Sequence, residues 1–216
     1  MTTVKNILDS VALILEDPAG DVWSKTELTA WLNDAVLAVV NRRPELAAKY
    51  SVFTTVNGAR QTLPQDGFRL IRVEHNDFSY SAINEIPMSL IDRQIPQWRM
   101  PVNAVDIELY CYDLTDPLTF YVYPAPTKGL SIWITYAAKP TELVNDADLI
   151  PLTDDFKNAV IDWVLYRCYS KDDQSANAQR ATMHLQAFEN GIGKKTQIDA
   201  SIVPDMAAGV GAGGQQ

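Results

Sequence analysis

The apolar residues of this 216-residue chain keep a helical period at both ends and a strand period between them. Few folds accommodate that double change. Val4, Ile7, Leu8, Val11, Ile14 and Leu15 draw one stripe along a first helix, which Asp17, Pro18, Ala19 and Gly20 stop. Ser24 with Glu27 forms a capping box that opens a second helix. Its stripe is Leu28, Trp31, Leu32, Ala35, Val39 and Val40, and Arg42, Arg43 and Pro44 close it. Neither helix can bury its stripe alone, so the two must find packing partners.

From Ser51 the period shortens. Residues 52–56, the Asn57-Gly58 pair and residues 60–63 read as a hairpin, because Asn-Gly suits the positive φ angles of a type I′ turn. Residues 70–73 form a further strand candidate, and residues 89–95 a short helical turn between Pro87 and Pro96. Residues 105–112 and 118–123 are two strands around Thr115-Asp116-Pro117. In residues 130–137, Ile132, Ile134 and Tyr136 alternate with Trp133 and Thr135. This predicts an antiparallel unit of about five strands.

A polar loop, 140–151, leads to a third helix opening at Thr153 or Asp154 and carrying Phe156, Ala159, Val160, Trp163 and Val164. A fourth runs from about Gln174 with Ala181, Leu185, Phe188 and Ile192 on one face, stopped at residues 191–193. The expected fold is α+β. A four-helix body is made from both chain ends, residues 1–50 and 151–196, with an antiparallel β subdomain inserted at 51–150 and a flexible, glycine-rich tail at 197–216.

The net charge of −9 has the wrong sign for a protein that holds nucleic acid by neutralising phosphates. Within residues 51–150 there are 7 basic and 12 acidic side chains. The aromatics there (Tyr110, Tyr112, Phe120, Tyr121, Tyr123, Trp133 and Tyr136) therefore lack the cationic track of a single-strand binder and read as core or subunit interface. Cys111 and Cys168 have no metal or redox spacing and read as buried thiols of a reducing compartment. No apolar run reaches membrane-spanning length and residues 1–9 do not form a signal peptide, so neither export nor a membrane partner is expected.

A search for chemistry yields little. His75 sits at a strand end and His184 one turn from Ala181 and Phe188, a packing position. The pairs Asp154-Asp155 and Asp172-Asp173 fall where carboxylates cap helices rather than bind metal. The glycine cluster at 209–214 precedes no helix and so forms no phosphate loop. No catalytic residue, cofactor or metal is expected.

Three stretches nevertheless carry a resemblance. The first runs through Ile14-Leu15-Glu16-Asp17, Val22-Trp23, Glu27-Leu28, Trp31-Leu32-Asn33-Asp34-Ala35 and Arg43-Pro44. The second is Phe120-Tyr121-Val122-Tyr123-Pro124, Ile134-Thr135-Tyr136 and Ile150-Pro151-Leu152. The third is Leu165-Tyr166-Arg167-Cys168-Tyr169-Ser170-Lys171-Asp172, with Asn177 and Arg180-Ala181 beyond it. In order and spacing these resemble the head-to-tail adaptor proteins of short-tailed bacteriophages, also called head completion or tail tubular proteins.

The resemblance implies a non-enzymatic structural protein of the virion, assembled in the host cytoplasm. It implies a homo-oligomeric ring of about twelve copies at the portal–tail junction, between the phage portal protein and the tail nozzle or hub. Double-stranded genome DNA would pass through its lumen during ejection without sequence-specific binding. Acidity fits that role, because a negative lumen repels phosphate and avoids the contacts that would stall DNA in transit.

Two sets of residues are expected to matter in such an assembly. Arg167 shares a helix face with the third stripe and should be buried against a carboxylate such as Asp34, fixing helix packing. Ile198, Ile202, Val203 and Met206 stand outside any evident core and form a candidate portal-docking tail; deleting residues 197–216 should then abolish portal binding. The competing reading is a tail-associated glycan-binding or glycan-cleaving protein. It would need two carboxylates at glycosidase spacing, and the sequence nominates no such pair.

Overall fold

A computed structural model of the chain describes residues 1–171 and 177–193. It is an α+β structure that divides into two compact units, residues 1–43 with 143–193 and residues 44–142.

The first unit is helical: α1 (Val4–Ile14), α2 (Lys25–Arg42), α4 (Lys157–Ser170) and α5 (Ala178–Ile192). Thr3 and Ser24 cap α1 and α2 through their hydroxyls, and the Asn177 side chain accepts from Arg180 N to cap α5. Helix α4 packs against the other three. That explains why Ile161, Leu165, Cys168 and Tyr169 are buried beside the expected Ala159, Val160 and Val164. A helix covered on several sides needs apolar residues around most of its circumference, not on one stripe. At the α4–α5 contact a Cβ on Gly191 would lie 3.2 Å from Ala159 Cβ, so a larger residue would push the helices apart.

The loop that leads into α4 is a strap rather than a spacer. The Asn33 side chain accepts from Leu143 N (2.8 Å) and donates to Leu143 O (2.9 Å), while Thr3 and Leu149 form a β-bridge. A 3-10 turn, Asp154–Phe156, precedes α4.

The second unit holds β1 (Ala48–Thr54), β2 (Arg60–Thr62), β3 (Gly67–Asn76), β4 (Asn84–Glu85), the helix α3 (Met88–Gln94), β5 (Leu109–Tyr112), β6 (Thr119–Tyr123) and β7 (Ser131–Ala138). They make a three-stranded sheet, β1-β7-β3, and a four-stranded sheet, β2-β6-β5-β4. One core lies between the sheets, built on Leu70, Val73, Ile107, Tyr110, Phe120, Val122, Ile132, Ile134 and Tyr136. A second core gathers Ala59, Ile91, Trp98, Cys111 and Ala125, bringing in α3.

Two expectations are corrected here. Residues 52–56 and 60–63 are not a hairpin, because β1 pairs with β7 and β2 with β6. Gly58 does take a positive φ (98°). The turn, however, is closed by Gln61, whose side chain binds Val56 N (2.7 Å), Val56 O (3.1 Å) and Gly58 O (2.7 Å). A buried amide satisfies the backbone that a ladder would otherwise satisfy. The unit is also not wholly antiparallel: β4 pairs parallel to β5, and the strands number seven among the described residues.

Candidate interaction surfaces

The residues nominated for chemistry are occupied in holding structure. His184 Nδ1 lies 2.9 Å from Asp162 Oδ1, and its ring stacks on Tyr169 at 5.7 Å. His75 places Nδ1 3.0 Å from Asn76 O, so in the neutral ring Nδ1 donates and Nε2 accepts the Tyr50 hydroxyl at 3.0 Å. Asp154 does not cap α4. Its Oδ1 accepts from Thr2 N (2.9 Å) and Thr2 Oγ1 (2.8 Å), and the Thr2 hydroxyl first, then the Met1 ammonium 3.2 Å from Oδ2, hold its carboxyl below the usual range. Asp172 and Asp173 lie outside the described residues.

Cys111 and Cys168 are both buried and neither is in a disulfide, and burial pushes the Cys111 thiol up to about 11. Among the described residues no three His, Cys, Asp or Glu side chains converge as metal ligands, and no helix is long and apolar enough to cross a membrane. A groove of about 360 Å³ between α4 and α5 is lined, among the described residues, by Tyr166, Tyr169, Ser170, Ala178, Ala181, Thr182 and Leu185.

Arg167 does reach Asp34, with Nη2 3.9 Å from Oδ2, yet the two side chains are 43% and 52% exposed. The expected buried pair is therefore a surface contact. Helix α4 buries Cys168 and Tyr169 beside it and leaves Arg167 on the outside. The tail residues Ile198, Ile202, Val203 and Met206 lie outside the described residues.

A feature the sequence reading passed over lies on the outer face of the sheet β1-β7-β3. Alternation turns Ile132, Ile134 and Tyr136 into the core, so Trp133 and Thr135 face away from it. Register sets Val52 and His75 on either side of Trp133. Tyr50 stacks on Trp133 at 4.5 Å, and His75 lies 6.1 Å from Trp133 and 5.7 Å from Tyr80. The Trp133 indole donates to Asp77 Oδ1 at 2.6 Å. This is a continuous aromatic row, the kind of surface found at interfaces.

The loop beside the row is held in an uncommon conformation. Tyr80 has φ 54°, and Phe78 is 95% exposed. Buried Asn76 fixes this loop: its Nδ2 donates to Ser81 Oγ (2.8 Å) and Ile107 O (2.7 Å), and its Oδ1 accepts from Ile107 N (2.8 Å). A left-handed tyrosine next to an exposed phenylalanine persists only where its surroundings impose it. The signal available in the sequence was a tryptophan at an outward position of β7.

In the helical unit Leu13, Ile14 and Val22 are among the exposed apolar residues and lie on either side of the α1–α2 turn. Asp17 shapes that turn by accepting from Asp21 N, Val22 N and Trp23 N at 2.9 to 3.0 Å. Backbone donors, Trp23's first, draw its carboxyl below the usual value. Both units thus present apolar side chains around a stiffened loop, a feature of surfaces that meet other proteins. No curated protein matches the chain. The sequence model of the SU10 adaptor protein family matches residues 2–208.

Proposed function

Because the chain belongs to the SU10 adaptor protein family, a family of phage adaptors, we propose that it is a ring-forming structural component at the portal–tail junction of a virion. In this reading about twelve copies close a ring between the portal and the tail nozzle or hub, assembled in the host cytoplasm, with genome DNA passing through the lumen. The observation that carries the reading is the family match, which spans both units rather than a fragment of one.

Physical features agree with it. A ring of identical copies needs two different, complementary patches on each subunit, and apolar residues are exposed on both units. A net charge of −9 per copy makes the assembled wall strongly acidic, so DNA meets repulsion instead of a chain of phosphate contacts. Association would stabilise each copy by mass action, so a chain that is monomeric alone can become a ring once a portal template gathers its neighbours.

The test is electron microscopy of the purified chain mixed with its cognate portal. A closed ring of this protein seated on the portal is the expected result. A chain that stays monomeric and unbound beside intact portal would overturn the reading.

A further inference from the structure

The two edges of the sheet β1-β7-β3 are built differently. Strand β3 is bulged at three places along its register, and its outer side is taken by the segment after it: Asn76 N bonds to Ser81 O, Ile83 N to Glu74 O, and His75 bridges Ala82. Strand β1 pairs residue for residue with β7, without a bulge. Thr55 N donates to Leu130 O at 2.9 Å. In an antiparallel ladder that parity places Lys49, Ser51 and Phe53 in the hydrogen-bonded pairs with β7 and turns the N–H and C=O of Tyr50, Val52 and Thr54 outwards. Among the described residues no hydrogen bond reaches those outward groups. Tyr50 and Val52 are also 54% and 45% exposed. A long, regular, partly apolar edge is what natural proteins ordinarily bulge, charge or cover, as β3 is here.

We propose that β1 is a strand-addition site and that its occupant is residues 196–203 of a second copy of this chain. The chain continues for 23 residues beyond Gly193, and their first part has a strand pattern. Ile198, Ala200 and Ile202 alternate with Gln197, Asp199 and Ser201, and Pro204 ends the run. Eight residues match the seven of β1. Paired to β1, one face of this segment lays Ile198, Ala200 and Ile202 beside Tyr50 and Val52, next to Trp133. The other carries Asp199 on the side of Lys49, whose ammonium already holds Asp66 at 2.7 Å and would be shared. Main-chain bonds supply the affinity and the alternate side chains the register.

The inference deepens the ring reading and rests on it only in taking the second copy as a ring neighbour. It gives Ile198 and Ile202 a partner within the ring instead of on the portal. Its test uses no portal, so the two readings can fail separately.

A peptide of residues 196–204 is titrated into full-length chain carrying Ile198→Asp and Ile202→Asp, which removes the competing segment. Expected are saturable NMR shifts at the amides of Tyr50, Val52 and Thr54. Val52→Pro deletes an outward N–H without touching the ladder to β7, and should weaken binding about ten-fold. Two peptides, N-methylated on one or the other alternating set of residues, serve if that variant does not fold: the one whose methyl groups face β1 should lose binding similarly. Shifts elsewhere, no shifts, or undiminished binding of both N-methylated forms would overturn the site. Chains carrying Val52→Cys and Ala200→Cys singly are then mixed and oxidised; both native cysteines are buried. A mixed disulfide dimer supports the second copy. Its absence, or bonding only within one chain that carries both changes, overturns it.

Discussion

The α1–α2 turn of the helical unit hangs on Asp17, a half-exposed carboxylate that takes three backbone N–H groups. Residues 77–81 of the β unit hang on Asn76, a buried amide that both donates and accepts. The two side chains do similar work under opposite solvation. An ion at the surface keeps much of its hydration and gains only what ordered donors add over water. A buried anchor must be neutral and must satisfy its neighbours on both sides, since an unpaired polar group in a core costs about 1–3 kcal/mol. Loop fixation in one unit should therefore respond to pH, and in the other to loss of a hydrogen-bond partner.

The scale against which both anchors are judged is the loss of a core side chain. Phe120, fully buried between the two sheets, and Phe188, fully buried in the helical unit, should each cost about 3–5 kcal/mol when replaced by Ala. Chemical denaturation measures the totals. Thiol labelling localises them, because Cys111 belongs to the β unit and Cys168 to α4 of the helical one. At pH 8 the Cys111 thiol, with its pKa near 11, is protonated as well as buried, so its labelling reports opening.

Asn76→Ala should come next, at about 2–3 kcal/mol, because it strands the N–H and C=O of buried Ile107 together. Hydrogen exchange should show the amides of Tyr80, Ser81 and Ile107 speeding up first. If Asn76→Ala proved as mild as a surface substitution, the contrast between the two anchors would be gone.

Asp17→Asn should act less and differently. The carboxyl is held below its ordinary value of 3.8 in the folded chain, so its stabilising effect is complete above that pH and fades as pH falls through the lowered folded value. The melting temperatures of wild type and Asp17→Asn should differ at neutral pH and converge in acid. A gap independent of pH would mean that the turn is held by something other than the ionised carboxylate.

Much of the helical unit was legible because helices are local. Ser24, Glu27, Pro18 and the stripes of α1 and α2 act within a few residues of themselves, and those elements lie where they were expected. The β unit was less legible because a strand's partner is not written beside it. Asn57-Gly58 gives a local hairpin signal, which Gln61 overrides by closing the turn with a side chain and freeing β1 to pair with β7 some 80 residues on. The outer aromatic row was hidden for the same reason. Tyr50, His75 and Trp133 are neighbours only through that pairing, and a one-residue change of register would have put them on the opposite face.

Arg167 marks the bottom of the scale. Its helix stripe pointed to a buried ion pair, whose rupture would cost several kcal/mol by leaving a charge stranded in the core. With both partners half exposed and 3.9 Å apart, water takes over either charge when the other is removed, so Arg167→Ala should change the stability of the free chain by about 0.5 kcal/mol or less. A double-mutant cycle with Asp34→Ala should give a coupling of similar size, shrinking further in high salt. A residue so cheap to the isolated fold is free to serve a contact made only on assembly. If the same substitution left the free chain intact while weakening ring formation on the portal, Arg167 would belong to the interface between copies. Equal, small effects on both would make it an ordinary surface cation.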